Sequence, residues 1–541
     1  MHINDLPDDI LEPVLCAALP ATKHRITGLV GGLELLSVCK RWRVVALPVV
    51  YNTVFFSCGI QSYSSDSGPT SRDIKSMVDL VVGAKCLHVV KKIMIYVNYR
   101  RDALPGLKAV IDRICEAADA WTGVRNLELN FVPFNWTPDP RIPLVADYES
   151  DIDSATSAFA ALMPGLHRIK IVDIMQTQVT CELFGRLIGL YSDQLQVLHS
   201  SHALAAPQDR VFGKLKDLRI DAIHSGVLDC QLPRLNPEVV ESLVLKWLTT
   251  NDMWSMFCNG PDEHAITFPR LTNLRLVYPS GRAMSPEQSS RERPWALRFP
   301  AAKRVRIICD DGECPSMANA VFPTNLESLD VNARLDLLQA IAGAKTEVSQ
   351  SLVLHTSYAS GEDSVKFDTI NRIFAAAGQC RSRALVITNA YVVPLELFTY
   401  TGLTHLRLRG PASVDQVMHH IRTQPQLSSL DVANLIAAET QTDITIPMRG
   451  EHELVAPLDT KIRALSISTV RGHDPEDLLF PMLKYLLLTI ATLRHVVAHR
   501  DSKQLRRFVE KYVQLYPHLA NPKVVESPGN TRAGRGRARA A

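Results

Sequence analysis

Beyond residue 90 one hydrophobic pattern recurs: an aliphatic residue, two others, a second aliphatic, one other, a third aliphatic. It stands at Val90-x-x-Ile93-x-Ile95, Val124-x-x-Leu127-x-Leu129, Leu166-x-x-Ile169-x-Ile171, Leu215-x-x-Leu218-x-Ile220, Val240-x-x-Leu243-x-Leu245 and Leu271-x-x-Leu274-x-Leu276. It continues at Leu326-x-x-Leu329-x-Val331, Leu403-x-x-Leu406-x-Leu408, Leu427-x-x-Leu430-x-Val432, Ile462-x-x-Leu465-x-Ile467 and Leu483-x-x-Leu486-x-Leu488. Looser copies lie near Val305, Leu352 and Leu385. With roughly three residues in ten aliphatic, three fixed positions match by chance in about one window of forty. Requiring polar residues at the other three positions lowers the chance expectation to about two. The seven copies starting at 124, 166, 215, 271, 326, 403 and 427 pass that filter. Most spacings are about 20–35 residues, enough for one strand and one return element.

The pattern predicts a short strand with alternate residues pointing inward, preceded by an aliphatic anchor in the turn. Leu129, Leu276 and Leu408 then belong to a core, whereas Glu128, Arg275 and Arg407 point to the opposite, concave face and should tolerate alanine. Several intervening segments read as helical, among them 184–191, 336–341 and 414–422. Stacked units of this kind give a parallel sheet with helices on its outer face. The array is expected to end near Leu488. Asp501-Ser502-Lys503-Gln504 opens a capping helix with Leu505, Phe508, Val509, Tyr512 and Val513 on one face, stopping before Pro517. Residues 521–541, a Gly/Arg/Ala tail, should be disordered.

Residues 3–57 form a different pattern. Asn4 or Asp5 caps a helix with Pro7 in its first turn and Asp8 and Asp9 suited to the helix dipole. Ile10, Leu11, Val14, Leu15 and Ala18 make its apolar stripe. Pro13 predicts a kink or an early end. A second helix carries Leu35, Leu36, Val38, Cys39, Trp42, Val45 and Ala46, with Lys40, Arg41 and Arg43 opposite, and Pro48 should stop it. Val54-Phe55-Phe56 reads as a short buried strand.

Leu6-Pro7-Asp8-Asp9-Ile10-Leu11, followed by Leu36-Ser37-Val38-Cys39-Lys40-Arg41-Trp42, resembles the F-box. Ala46-Leu47-Pro48-Val49-Val50-Tyr51 is similar to the tail of fungal members, with Tyr51 where many have tryptophan. The stretch 19–33 is longer than the usual F-box loop, and Pro13 departs from the pattern. The resemblance implies docking on a Skp-type adaptor, and through it a cullin-RING ubiquitin ligase. It places Leu6, Pro7, Ile10, Leu11, Val38, Cys39 and Trp42 at the adaptor. The body resembles the irregular leucine-rich repeats that follow F-boxes, although the ladder asparagine is missing except at Asn98. An ordinary α/β domain is the competing interpretation of the body.

Composition narrows the function. Across 541 residues the hydrophobic share is 46% and the charged share 21%, ordinary for a globular chain and unlike a disordered one. Residues 521–541 hold five basic side chains against Glu526, so the other 520 carry −1 of the net +3. Nothing in that balance suggests a nucleic-acid-binding domain, and nucleic acid is not expected as a partner. Eleven scattered cysteines fit a reducing compartment. No signal peptide or membrane span is read, and the expected location is cytoplasm, nucleus or both.

No phosphate loop and no nucleophile elbow occur. His495 and His499 have helical spacing but Val496 stands where a zinc protease needs glutamate, so they read as two exposed helix histidines. Cys309-Asp310-Asp311-Gly312-Glu313-Cys314 lacks a second thiol pair for a metal, and His419-His420 cannot share one helix face. The expectation is a non-enzyme without cofactor, metal or catalytic residue. Its organisation is a helical F-box-like block over 1–57, a linker and entry helix over 58–89, a leucine-rich-repeat-like α/β solenoid over 90–519 and a tail over 520–541. Its role is a substrate-recruiting adaptor of the ligase, its protein substrate unidentified, or else a ligase-independent scaffold.

Overall fold

The computed structural model describes residues 6–18, 38–59, 72, 74–99, 104–133, 148–173, 178–202, 205–207, 209–221, 233–246, 265–278, 296–309, 321–332, 335–356, 363–377, 380–388, 398–436, 460–471, 490, 492–493, 495–498, 507, 510 and 523–526. The chain divides into two compact units, Met1–Pro279 and Ser280–Ala541. Each is α/β, built on a long, mostly parallel sheet.

The first unit opens with helix α1 (Asp8–Ala18), which packs against α2 (Lys40–Val50). Helix α1 does not end at Pro13. A proline removes only its own N–H bond, and the packing that buries Leu11 completely holds the next turn in place. Cys39 caps α2, its Sγ accepting the Trp42 N–H at 3.4 Å. Pro48 does not stop α2 either; the helix runs two residues further, to Val50. Leu35 and Leu36 lie outside the described residues.

The sheet begins earlier than the triplet pattern indicates. Strand β1 (Thr53–Cys58) buries Val54, Phe56 and Cys58 on one face. It pairs in parallel with β3 (Lys92–Tyr99), residue Thr53 beside Lys92, and antiparallel with β2 (Lys75–Ser76). The stretch assigned above to the helical block therefore contributes the first sheet strand. Helix α3 (Val78–Gly83) lies between; Lys85 after it takes a left-handed φ of 55° while the Cys86 N–H bonds to the Val81 carbonyl.

From β3 the strands follow one another in chain order: β4 (Asn126–Pro133), β5 (Arg168–Asp173), β6 (Val197–Ser200), β8 (Asp217–Ile220), β10 (Ser242–Lys246) and β12 (Asn273–Tyr278). A side pair, β7 (Val211–Phe212) with β9 (Arg234–Leu235), is also parallel. Just before each main strand the backbone repeats one device. The carbonyls of Asn52, Lys91, Arg125, His167, Gln196, Lys216 and Glu241 each accept two successive N–H groups from the next turn. The first aliphatic of each triplet sits beside that turn, and Val90, Val124, Leu166, Leu215, Val240 and Leu271 are all buried.

Helices α4 (Leu104–Ala117), α5 (Tyr148–Leu162) and α6 (Gln178–Leu190) belong to the core layer of this unit. The edge-to-face pair Phe131–Phe184, 5.2 Å between ring centres, joins β4 to α6. Tyr191 donates its hydroxyl to the Phe159 and Met163 carbonyls, and burial pushes its ionisation up. Strand β6 escaped the triplet pattern because its third inward position is Ser200, a buried hydroxyl that donates to the His202 carbonyl at 2.6 Å.

The second unit repeats the arrangement after the short strands β11 (Ala265–Thr267, still in the first unit) and β13 (Ala296–Arg298). Its parallel strands, again in chain order, are β14 (Arg304–Cys309), β15 (Asn325–Asn332), β16 (Glu347–Thr356), β17 (Ser382–Ile387), β18 (His405–Ser413), β19 (Ser429–Ile436), β20 (Ala464–Arg471), β21 (His495–Ala498) and β22 (Lys523–Glu526). The triplet starting at 483 lies outside the described residues. Two expectations change here. The sheet does not end near Leu488, and the tail expected to be disordered supplies a strand, because Lys523–Glu526 pairs with β21. Arg507 and Glu510 are helical, in the place expected for the capping helix.

Helices α7 (Leu335–Gly343), α8 (Asp363–Ala376) and α9 (Val414–Thr423) cover this unit's sheet. Ser413 and Gln416 form a reciprocal capping box at the start of α9. His420, on the buried side of α9, is lowered to about 4 by burial, with His419 adding to the effect. The folded chain therefore refuses a proton that the unfolded chain accepts near pH 6.5. Stability from this group is complete above that pH and is lost as the pH falls toward 4. At pH 5 the loss amounts to about 2 kcal/mol. Chemical denaturation at pH 7 and pH 5 should show His420→Gln losing about 2 kcal/mol less than the unaltered chain. Equal losses in the two proteins would remove His420 as the cause.

Candidate functional site

Two surfaces of the first unit expose side chains. On the N-terminal helix pair, Arg41 donates from Nε and Nη2 to Asp8 Oδ1 at 3.0 and 2.7 Å, and from Nη2 to the Leu6 carbonyl. This guanidinium ties together the two sequence halves of the motif. Of the seven residues singled out there, Pro7, Ile10 and Val38 are exposed, with Ile10 at 48% and Val38 at 55%. Leu6, Cys39 and Trp42 are half-buried. Leu11 is fully buried, so as placed its side chain packs the block itself. Val14 and Val44 are exposed as well. Val44 falls between the periodic positions Trp42 and Val45, so the apolar pattern does not single it out. Exposed apolar side chains gathered on one surface are of the kind that a docking partner covers.

The second surface is the sheet face turned away from the core in the first unit. Its middle row runs across the strands from Phe55 and Met94 through Glu128, Lys170, His199, Arg219 and Val244 to Arg275. Near its start the rings of Phe55 and Tyr96 pack at a tilt, 4.8 Å between centres. Glu128 corrects one expectation: it is on the predicted face but it is buried, only 6% of its side chain being exposed. Lys92 approaches its Oε2 at 2.6 Å and Lys170 its Oε1 at 2.8 Å. Burial alone would raise this carboxyl, but the hydrogen bonds from Lys170 and Lys92 outweigh it and hold the group below the usual carboxylate range.

The same balance keeps two aspartates charged. Burial opposes ionisation of Asp217, while His199 Nε2 at 3.0 Å and Ser242 favour it. Burial likewise opposes Asp221, and Arg219 and Lys246 overcome it. In the second unit Asp330 meets His355 Nε2 at 2.9 Å and Arg306 at 3.1 Å, and Arg407 meets Asp431 at 2.7 Å. Arg275 is half-buried and Arg407 exposed, on the face predicted for both.

The residues weighed for chemistry are dispersed. His495 starts strand β21 and is not on a helix, and His499 is outside the described residues. The local spacing suggested a helix, but strand pairing with β20 decides the backbone. Cys309 ends β14, while Cys314 lies outside the described residues. His420 is buried and His419 half-buried, their rings 5.8 Å apart and nearly perpendicular. Among the described residues no group of three or more His, Cys, Asp or Glu is placed to hold a metal ion. Among them, too, no helix is long and apolar enough to cross a membrane. No protein-family model matches the chain, and the search of curated proteins finds no match.

Proposed function

We propose that this chain is a substrate-recruiting adaptor of a cullin-RING ubiquitin ligase, with an F-box at residues 1–57 and an irregular leucine-rich-repeat solenoid after it. The N-terminal block binds a Skp-type adaptor and the open sheet face binds a protein substrate. The observation that carries this reading is the motif Leu6-Pro7-Asp8-Asp9-Ile10-Leu11 and Val38-Cys39-Lys40-Arg41-Trp42, with Pro7, Ile10 and Val38 left in water on the helix pair. Uncovered aliphatic side chains are stabilised by a partner groove at roughly 25 cal/mol for each Å² removed from water. The chain itself catalyses nothing in this role; it supplies proximity for the ligase.

The competing role, a ligase-independent scaffold, is favoured by Leu11, Ala46 and Val50, which face the interior of this chain. Co-purification of the full chain with the Skp-type adaptor separates the two. Leu6→Ala, Pro7→Ala and Trp42→Ala combined should abolish capture while the sheet's thermal transition persists. Because Trp42 is half-buried, Ile10→Ser with Val38→Ser, both exposed, serves as a second variant and should weaken capture at least tenfold. Capture unchanged in both folded variants would exclude the F-box role.

A further inference from the structure

Asn130 is a buried amide whose surroundings leave its donor unused. It stands on β4 between Leu129 and Phe131, which are completely buried on the core face. Strand alternation therefore turns Asn130 to the opposite face, beside Glu128. There it is only 7% exposed, yet among the described residues its Nδ2 meets no hydrogen-bond acceptor. A buried donor left unpaired costs its desolvation, and each such group in a folded chain calls for a physical reason. Its neighbours on that face offer apolar surface. Tyr96 on β3 and Val172 on β5 flank it in register, each one strand spacing of about 4.8 Å away. Met94 and Phe55 extend the patch toward β1, with the Phe55 ring packed on that of Tyr96. All four are half-buried, so the patch opens to solvent and the amide lies at its floor.

We propose that this patch binds a short extended segment of a partner protein through one apolar side chain and the backbone carbonyl next to it. The carbonyl oxygen accepts from Asn130 Nδ2. The side chain, aromatic or long aliphatic, lies against Phe55, Met94 and Tyr96 and is stabilised by leaving water. Lys92 and Lys170, on the flanking strands, are held by Glu128, so the acceptor that fits is a neutral carbonyl and not an anion. Tyr96 or Val172 turns aside by a change of rotamer to admit it, and the strands stay in place. This deepens the adaptor reading and rests on it only for calling the segment a substrate. The patch binds the segment whether or not the helix pair engages a ligase.

The test uses the full chain, labelled with heavy nitrogen at asparagine for NMR. The Asn130 side-chain NH2 pair is the one missing from the spectra of both Asn130→Leu and Asn130→Gln. Two probes are compared: N-acetyl-phenylalanine methylamide, which joins a peptide carbonyl to an apolar side chain, and its glycine counterpart, which keeps the carbonyl alone. The phenylalanine probe should move the NH2 pair downfield and saturably, binding at least about fivefold tighter than the glycine probe. Met94→Ala should weaken the phenylalanine probe about threefold and leave the glycine probe unchanged. Asn130→Leu keeps the shape without the donor and should weaken the phenylalanine probe about fivefold, read from saturation transfer to its ring protons. The movement of the NH2 pair is read on the unaltered chain, so it stands even where a variant folds poorly. No movement with the phenylalanine probe up to about 50 mM overturns the inference, and leaves the amide to a bound water. Equal affinity for the two probes overturns it as well. Retained adaptor capture without probe binding sinks only this inference. Probe binding without adaptor capture sinks only the ligase role.

Discussion

Leu129→Asp, Leu276→Asp and Leu408→Asp should each unfold part of the sheet, lowering stability by about 4 kcal/mol or more. Each leucine is the third aliphatic of its triplet, and each is completely buried on the core face of its strand. The substitution deletes the packed side chain and puts a carboxylate where no cation reaches it. The residue just before each leucine separates burial from position. Arg407→Ala removes an exposed pair with Asp431 and should cost no more than about 0.5 kcal/mol. Glu128→Ala should not be so mild. It leaves the Lys92 and Lys170 ammonium groups facing each other without the carboxylate between them, at about 2 kcal/mol. Urea titrations of the five variants decide the matter. Leucine variants as stable as Arg407→Ala would mean that the two sheet faces are assigned the wrong way round.

The strand positions were legible because the triplet records burial and turn geometry in six consecutive residues. Ten of the eleven copies fall on described strands, each with its anchor buried. What escaped depends on contacts that the apolar periodicity does not record. Ser200 replaces an aliphatic at an inward position because the His202 carbonyl lies within reach of its hydroxyl, a local chance that periodicity does not encode. Lys523–Glu526 has two adjacent valines between charged residues and no alternation to stand out in a basic tail, and becomes a strand by pairing with β21. Glu128 looks like a surface charge in the sequence because the two lysines that enclose it are 36 and 42 residues away. The N-terminal motif was legible as letters. Which of its side chains face outward, Ile10 and Val38 but not Leu11, emerged only from the packing of α1 on α2.

Gly185→Ala should destabilise the first unit by about 2–3 kcal/mol, although helix propensity alone predicts a gain of about 1 kcal/mol. Gly185 lies within α6, and the passing chain at Ala205 runs directly over it. A methyl group there would collide with the Ala205 carbonyl oxygen and sit 2.5 Å from its carbon. Both obstacles are backbone, so no rotamer change relieves them. Helix α6 cannot retreat, because Phe184, Leu187 and Ile188 are packed without exposure on its core side. The Ala205 segment is itself held from below, its N–H donating to the Cys181 carbonyl at 3.4 Å. One turn on, Gly189 meets only the Pro207 ring, 2.9 Å from the added carbon, so Gly189→Ala should cost less. Gly213→Ala, with nothing within 4 Å of the new methyl, is the reference and should leave stability within about 0.5 kcal/mol. Thermal melts of the three variants should rank Gly185→Ala lowest, then Gly189→Ala, then Gly213→Ala. A Gly185→Ala protein that melts at or above the unaltered chain would mean that the segment carrying Ala205 does not rest on α6, and that these two glycines are there for no steric reason.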